Sequence, residues 1–152
     1  MVTNILIIPY FPQRVKGFRQ IRHWYACGNY PTIKCVLLIV GGAGSLFVNP
    51  EHTLTVADGA DFPDAFKPLA AAHQDLLDAL RLRSDVKWTY ISPAADFQAD
   101  GARTGAYTLG GEELTLNAAG ESVISYADYA IAMVDEAVEG NHIRQRISVV
   151  RQ

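Results

Sequence analysis

The stretch that most constrains the fold is Val86 to Phe97, VKWTYISPAADF. Val86, Trp88, Tyr90 and Ile91 are strand formers, and Ser92-Pro93 ends such a strand abruptly. An amphipathic helical pattern precedes it, and a glycine-rich hairpin pattern comes after it. A buried strand that stops at Ser-Pro-Ala and opens into a loop is how an open α/β sheet builds a ligand crevice at the carboxyl ends of its strands. The stretch therefore predicts a binding place, and by itself no reaction.

A second strand signal lies upstream. Cys35 to Val40, CVLLIV, is a continuous apolar run, as expected of a strand buried on both faces in a parallel sheet. It feeds Gly41-Gly42-Ala43-Gly44-Ser45. A dinucleotide fingerprint would need a third glycine where Phe47 stands, and a P-loop would need a Gly-Lys-Ser/Thr ending, so the loop matches neither motif. It reads instead as a strand end whose glycines, Gly42 and Gly44 among them, let the backbone approach a ligand, with Ser45 at the rim.

Between the two strands, Asp64 or a neighbour caps a helix running to about Arg83. Pro68 fits its first turn, and Leu69, Ala72, His73, Leu76, Leu77 and Leu80 share one face. His73 reads as a core or edge histidine with a local hydrogen bond rather than a catalyst. Arg81 and Arg83 suit the helix C-terminus. After Phe97 and a polar loop, alternation at Tyr107, Leu109, Leu114 and Leu116 around Gly110-Gly111 predicts a hairpin. Ser125 and Asp128 form a capping box for a helix to about Val138. Its buried face is expected to hold Ala127, Ala130, Ile131, Val134 and Val138, and Gly140 stops it. RISVV, 146–150, is a last strand.

Length and composition agree with one globular α/β domain: 152 residues, 49% hydrophobic and 19% charged. No apolar run reaches the roughly 18 residues of a membrane span, and MVTNILIIPYFP lacks the leading positive charge of a secretory signal, so a cytoplasmic location is expected. Cys27 and Cys35 match no metal spacing and are read as free thiols, with a local disulfide as the lesser alternative. The four histidines are scattered, no G-x-S-x-G occurs, and the adjacent pairs Glu112/Glu113 and Asp135/Glu136 read as solvated surface. No metal site is expected.

Charge is uneven. Residues 1–50 carry Arg14, Lys16, Arg19, Arg22 and Lys34 and no acid, a balance of +5; the remaining 8 cations and all 16 acids give −8 for 51–152. A nucleic-acid-binding arm is one explanation, weakened because the cations form no stripe and no aromatics interleave with them. The other is that the first 34 or so residues are not the natural partner of the rest of the chain. They hold Ile5 to Ile8 as a short strand, a helical turn at Ile21 to Ala26, and otherwise loop material.

VLLIVGGAGSLFV, VKWTYISPAADF, RTGAYTL at 103–109, GESVISYADYAIAMVDE at 120–136 and the closing IRQRISVV together resemble the C-terminal part of the atypical short-chain dehydrogenase/reductases, in particular the NADH-flavin reductase branch related to NmrA-like regulators. The resemblance covers about residues 35–152. It implies an incomplete Rossmann-like parallel sheet with flanking helices, NADH or NADPH as cofactor, a small-molecule substrate, and flavin as a candidate substrate. It places Ser45 at the nicotinamide as the catalytic donor to a substrate carbonyl. Gly42, Gly44, Ser45, Ser92, Pro93 and Ala94 become cofactor contacts, and Phe97 a wall of the substrate pocket.

The chain departs from that pattern. The family begins with a strand and a GxxGxxG loop that holds the pyrophosphate at a helix N-terminus, and no such sequence occurs here. The superfamily's tyrosine–lysine pair is also absent. A truncated or frame-shifted product, an altered head on a genuine C-terminal half, is the expectation. The rivals to an active NAD(P)H-dependent reductase are a non-catalytic dinucleotide-sensing module of the NmrA kind and a remnant that binds no cofactor. An exposed sheet edge would favour homo-oligomers.

Overall fold

The structure, a computed structural model, describes residues 4–8 and 35–152, with backbone alone at 4–8 and Cys35. Cys27, the five basic residues from Arg14 to Lys34 and the helical turn expected at Ile21 to Ala26 lie outside the described residues. The chain has a Rossmann-like α/β architecture. Among the described residues its main sheet has five strands in the order β1 (Asn4–Ile8), β2 (Cys35–Val40), β3 (Trp88–Pro93), β7 (Gln145–Arg151), β5 (Tyr107–Gly110). The first four run parallel, and β5 lies antiparallel to β7.

The apolar run of β2 does what its composition dictates. Leu38 and Ile39 point to opposite faces and are 0% and 2% exposed, because a central parallel strand is covered on both sides. On one face Ile39, Trp88 and Tyr90 pack against Leu77 and Leu80 of helix α1 (Lys67–Arg81). On the other, Leu38, Ile91, Ile147 and Val149 meet Tyr129, Ala132 and Met133 of helix α2 (Tyr126–Glu139). Fully burying one such aliphatic side chain is worth about 1.5–3 kcal/mol. These two layers fix β2 and β3 side by side, which aligns their carboxyl ends.

Helix α1 begins later than expected. Asp64–Phe66 forms a single 3-10 turn, and α1 starts at Lys67 with Pro68 in its first turn and ends at Arg81. Asp64 pairs with Lys67 at 2.7 Å rather than capping the helix. Helix α2 is capped as expected, by Ser125 at its start and by left-handed Gly140, φ 63°, at its end. Its buried face is not the expected one. Val134 and Val138 are 57% and 79% exposed, whereas Asp128, Tyr129, Ala132, Met133 and Glu136 are buried. Two buried carboxylates are accommodated because each has partners. Glu136 accepts from His142 N at 2.9 Å and bonds His142 Nδ1 at 2.7 Å.

The expected hairpin does not form. Tyr107–Gly110 is a strand, but it pairs with β7, and Leu114 and Leu116 lie outside any strand. The edge of β7 takes up this segment antiparallel, in place of a local partner strand. The minor sheet is instead a parallel pair, β4 (Asp96–Gln98) and β6 (Val123–Ser125). Strand β3 also continues through Ser92 to Pro93, in register with Ser148 and Val149. Pro93 lacks the N–H that a further ladder bond would need, and the strand ends there.

Candidate functional site at the carboxyl ends of the parallel strands

After Val40 the chain leaves the sheet through Gly41 and Gly42 into a 3-10 turn, Ala43–Ser45. The glycines serve internal packing. A Cβ on Gly41 would lie 2.2 Å from the Tyr90 ring, one on Gly42 would lie 3.1 Å from His73, and one on Gly44 would lie 2.8 Å from Ala70. The space next to these glycines is thus filled by the protein's own side chains. Beneath the turn, Tyr90 Oη and His73 Nδ1 are hydrogen-bonded at 3.0 Å. His73 is a buried, locally bonded histidine as expected, and burial lowers its pKa.

Ser45 does not sit at a rim; it is 3% exposed. Its carbonyl and its Oγ both accept from Arg146 Nη1, at 2.8 and 3.0 Å. Arg146 rises from β7, its side chain almost wholly buried, and its Nη2 donates to the Glu112 carbonyl at 2.9 Å and pairs with the Glu112 carboxylate. Burial pulls the guanidinium's pKa below its ordinary value, and the Glu112 charge opposes that pull. Glu112 is therefore not free surface: its carboxylate lies between Arg146 and Arg81, the latter at 2.7 Å. Phe47 completes the clasp. Its N–H donates to the Glu112 carbonyl and its carbonyl accepts from Leu114 N, while the ring covers Arg146 at 5.5 Å and stacks on His52 at 4.5 Å. His52, held at φ 53°, pairs with Glu113 at 3.1 Å. An open depression of about 540 Å³ lies on the outer side, lined by His52 and residues 110–115.

At the end of β3, Ser92, Pro93 and Ala94 are buried. Ser92 is wholly covered, and its Oγ has no hydrogen-bond partner among the described residues. An unsatisfied buried hydroxyl is costly. Phe97, half-buried, joins Tyr126 and Tyr129 in an aromatic cluster with centroids 4.1 and 4.9 Å away. Tyr129 Oη donates to the Ile91 carbonyl at 2.7 Å, tying α2 to the sheet just before Ser92. Burial raises the Tyr129 pKa, so it is a structural donor.

The structure brings Gly42, Gly44, Ser45, Ser92, Pro93 and Ala94 to neighbouring strand ends, because β2 and β3 are adjacent and in register. Phe97 lies apart from them, in β4 of the minor sheet, packed on the α2 side. The residues that sequence reasoning missed are Arg146 and Glu112. A signal for Arg146 was present: a charged residue opening the apolar run ISVV. Among the described residues no cluster of histidine, cysteine and carboxylates could hold a metal ion, and no helix is long and apolar enough to cross a membrane.

No family model matches the chain. The Bacillus subtilis (strain 168) protein YwnB, which is uncharacterised, is 44% identical over 116 residues, 76% of this chain and 54% of that protein. A crystal structure from Streptococcus pneumoniae TIGR4, described as a putative NADH-flavin reductase, is 50% identical with a TM-score of 0.75, over 80% of this chain and 58% of that one. A Bacteroides thetaiotaomicron structure described as a putative epimerase is 37% identical with a TM-score of 0.69, over 76% and 53%. The chain thus spans little more than half the length of these relatives. It has a Rossmann-like α/β fold and is similar, over most of its own length, to proteins named as a reductase and an epimerase.

Proposed function

We propose that residues 35–152 are the C-terminal part of an NAD(P)H-dependent reductase of the NADH-flavin reductase type, and that residues 1–34 are a basic segment atypical of that family. The observation that carries this reading is the 50% identity to the streptococcal protein so named, over a segment that includes both strand ends. The residues present suit the nicotinamide end of a dinucleotide. Ser92 Oγ is a buried hydroxyl in want of a partner among the described residues, and Ser45 lies at the neighbouring strand end. Ser45, Ser92 and the backbone of Gly42, Gly44, Pro93 and Ala94 would hold the ring, and Phe97 would wall the substrate side. When bound, the cofactor supplies the hydride. The chain's part is to orient the ring and to offer the Ser45 hydroxyl to a substrate carbonyl, a flavin being the candidate acceptor. A donor fixed where charge develops lowers the barrier. Its cellular place in this reading is the cytoplasm, and its assembly a homo-oligomer through a sheet edge.

A second reading has its own support. Strand β1 lies parallel beside β2, and the residues directly after it are Pro9-Tyr10-Phe11-Pro12 rather than a glycine loop. Without donors for a pyrophosphate the chain would be a remnant with no cofactor. With binding and no turnover it would be a sensor of the NmrA kind.

Titration of NADH and NADPH into folded chain, followed by nicotinamide fluorescence and melting temperature, separates the three. Saturation at micromolar concentration with oxidation of the cofactor by added flavin supports the reductase. Saturation without oxidation supports the sensor. No binding and no thermal shift removes both.

A further inference from the structure

We propose that Arg146 is a positioning residue that fixes Ser45 as a hydrogen-bond donor. The inventory of donors and acceptors carries it. A guanidinium has five N–H donors and no acceptor. When Nη1 donates to Ser45 Oγ at 3.0 Å, the serine oxygen is an acceptor in that bond, and its own hydrogen is left to be given elsewhere. The same Nη1 donates to the Ser45 carbonyl at 2.8 Å, so side chain and main chain of this residue are held by one atom. No group among the described residues accepts the Ser45 hydroxyl hydrogen, although the residue is buried. A buried O–H with no acceptor suits a ligand atom that is an acceptor: a carbonyl, a carboxamide oxygen or a ring nitrogen.

The clasp around Arg146 engages both of its terminal nitrogens, while its buried Nε–H has no partner among the described residues. Nη2 is taken by the carbonyl and carboxylate of Glu112, and Phe47 covers the plane. Glu112 also holds Arg81 of α1. The guanidinium thus cannot swing away from Ser45 without breaking its contacts to Glu112 and Phe47. Lysine would keep the charge for Glu112 but cannot span both partners with one rigid fork.

This inference rests on the reductase reading for its catalytic meaning, and the tests separate the two. In single-turnover oxidation of NADPH by free flavin mononucleotide at saturating NADPH, Ser45→Ala is expected to slow hydride transfer about 100-fold, and Arg146→Lys about tenfold. The double variant is expected to be no slower than Ser45→Ala alone, because Arg146 acts only through Ser45. A double variant slowed by the product of the two factors overturns the proposal. Should the wild type bind neither dinucleotide, the reductase reading fails, and neutron diffraction from the deuterated wild-type chain decides the proposal. It stands if the Ser45 deuteron points away from Arg146 and meets no protein acceptor. It falls if that deuteron bonds a protein oxygen, or if Arg146 does not donate to Oγ.

Discussion

The Asp128 carboxylate, fully buried in the first turn of α2, holds a loop 24 residues away: it accepts from Thr104 N at 2.9 Å, Thr104 Oγ1 at 2.8 Å and Gly105 N at 2.9 Å. Ser125 caps the helix through Asp128 N at 3.0 Å, so the capping residue and the loop anchor are neighbours on one turn. Burial acts to raise the Asp128 pKa, but the bonds from Gly105, Thr104 and Ser125 outweigh it, and the net shift is downward. A carboxyl with a depressed folded-state pKa adds stability above its unfolded value, near 3.8, and that stability is lost as pH falls through the lower folded value. Asp128→Ala is expected to cost about 2–4 kcal/mol at neutral pH, since several hydrogen bonds to a charge are lost and two backbone donors are orphaned. Urea melts at pH 7 and pH 3 check this: the difference between wild type and variant narrows at the lower pH.

The face of α2 gives a second test. Val134 and Val138 are largely exposed, whereas Ala132 and Met133 are 2% and 5% exposed. Val134→Lys and Val138→Lys are expected to change stability by no more than about 0.5 kcal/mol. Met133→Lys buries an ammonium in the cluster of Leu38, Ile91 and Ile147 and is expected to prevent folding or lower the melting temperature steeply. Circular dichroism melts of the three variants would read the helix register directly. Equal losses in all three would mean that the helix is rotated from the position described.

Why the sequence misplaced that face is physical. Counting apolar residues at helical spacing favours Val134 and Val138 over Asp128 and Glu136, because periodicity treats a carboxylate as solvent-facing. Here both carboxylates are buried and bonded to loops outside the helix, and only tertiary contact makes that tolerable. The same limit hid the Ser45–Arg146 contact, whose partners are 101 residues apart. It also hid the pairing of Tyr107–Gly110 with β7, since a strand's partner is a long-range choice. By contrast β2, β3 and β7 were legible from apolar runs, and both ends of α2 from Ser125 and Gly140, because these signals are local. The adjacency of the strand ends at Gly41–Ser45 and Ser92–Ala94 came from them.

Gly41 and Gly111 should respond oppositely to the same change. A Cβ on Gly41 would enter the Tyr90 ring, with three ring atoms within 2.8 Å, whereas nothing lies within 4 Å of one on Gly111. Gly41→Ala is expected to cost about 1–3 kcal/mol through overpacking, and Gly111→Ala to stay within about 0.5 kcal/mol. Replacing Tyr90 with Leu in the Gly41→Ala background should recover part of the loss, because the obstructing ring atoms are removed. Failure of any recovery would mean that the strain at Gly41 comes from its backbone and not from Tyr90.

His73 sets a pH dependence of its own. It is 7% exposed and bonded to Tyr90 Oη, and desolvation lowers its pKa from 6.5. A histidine whose folded value lies below its unfolded one binds fewer protons when folded. Its contribution is therefore full above about pH 6.5 and is lost as pH falls from there through the folded value, because the unfolded chain takes up the proton first. Wild-type melting temperature is expected to fall by several degrees between pH 7.5 and 5.5. His73→Gln removes this titration and should show a flatter profile over the same window, with a lower melting temperature at pH 7.5 from imperfect packing against Gly42. Parallel slopes for the two proteins would mean that His73 titrates alike in both states, and that burial beneath the Gly42 turn does not disfavour its charged form.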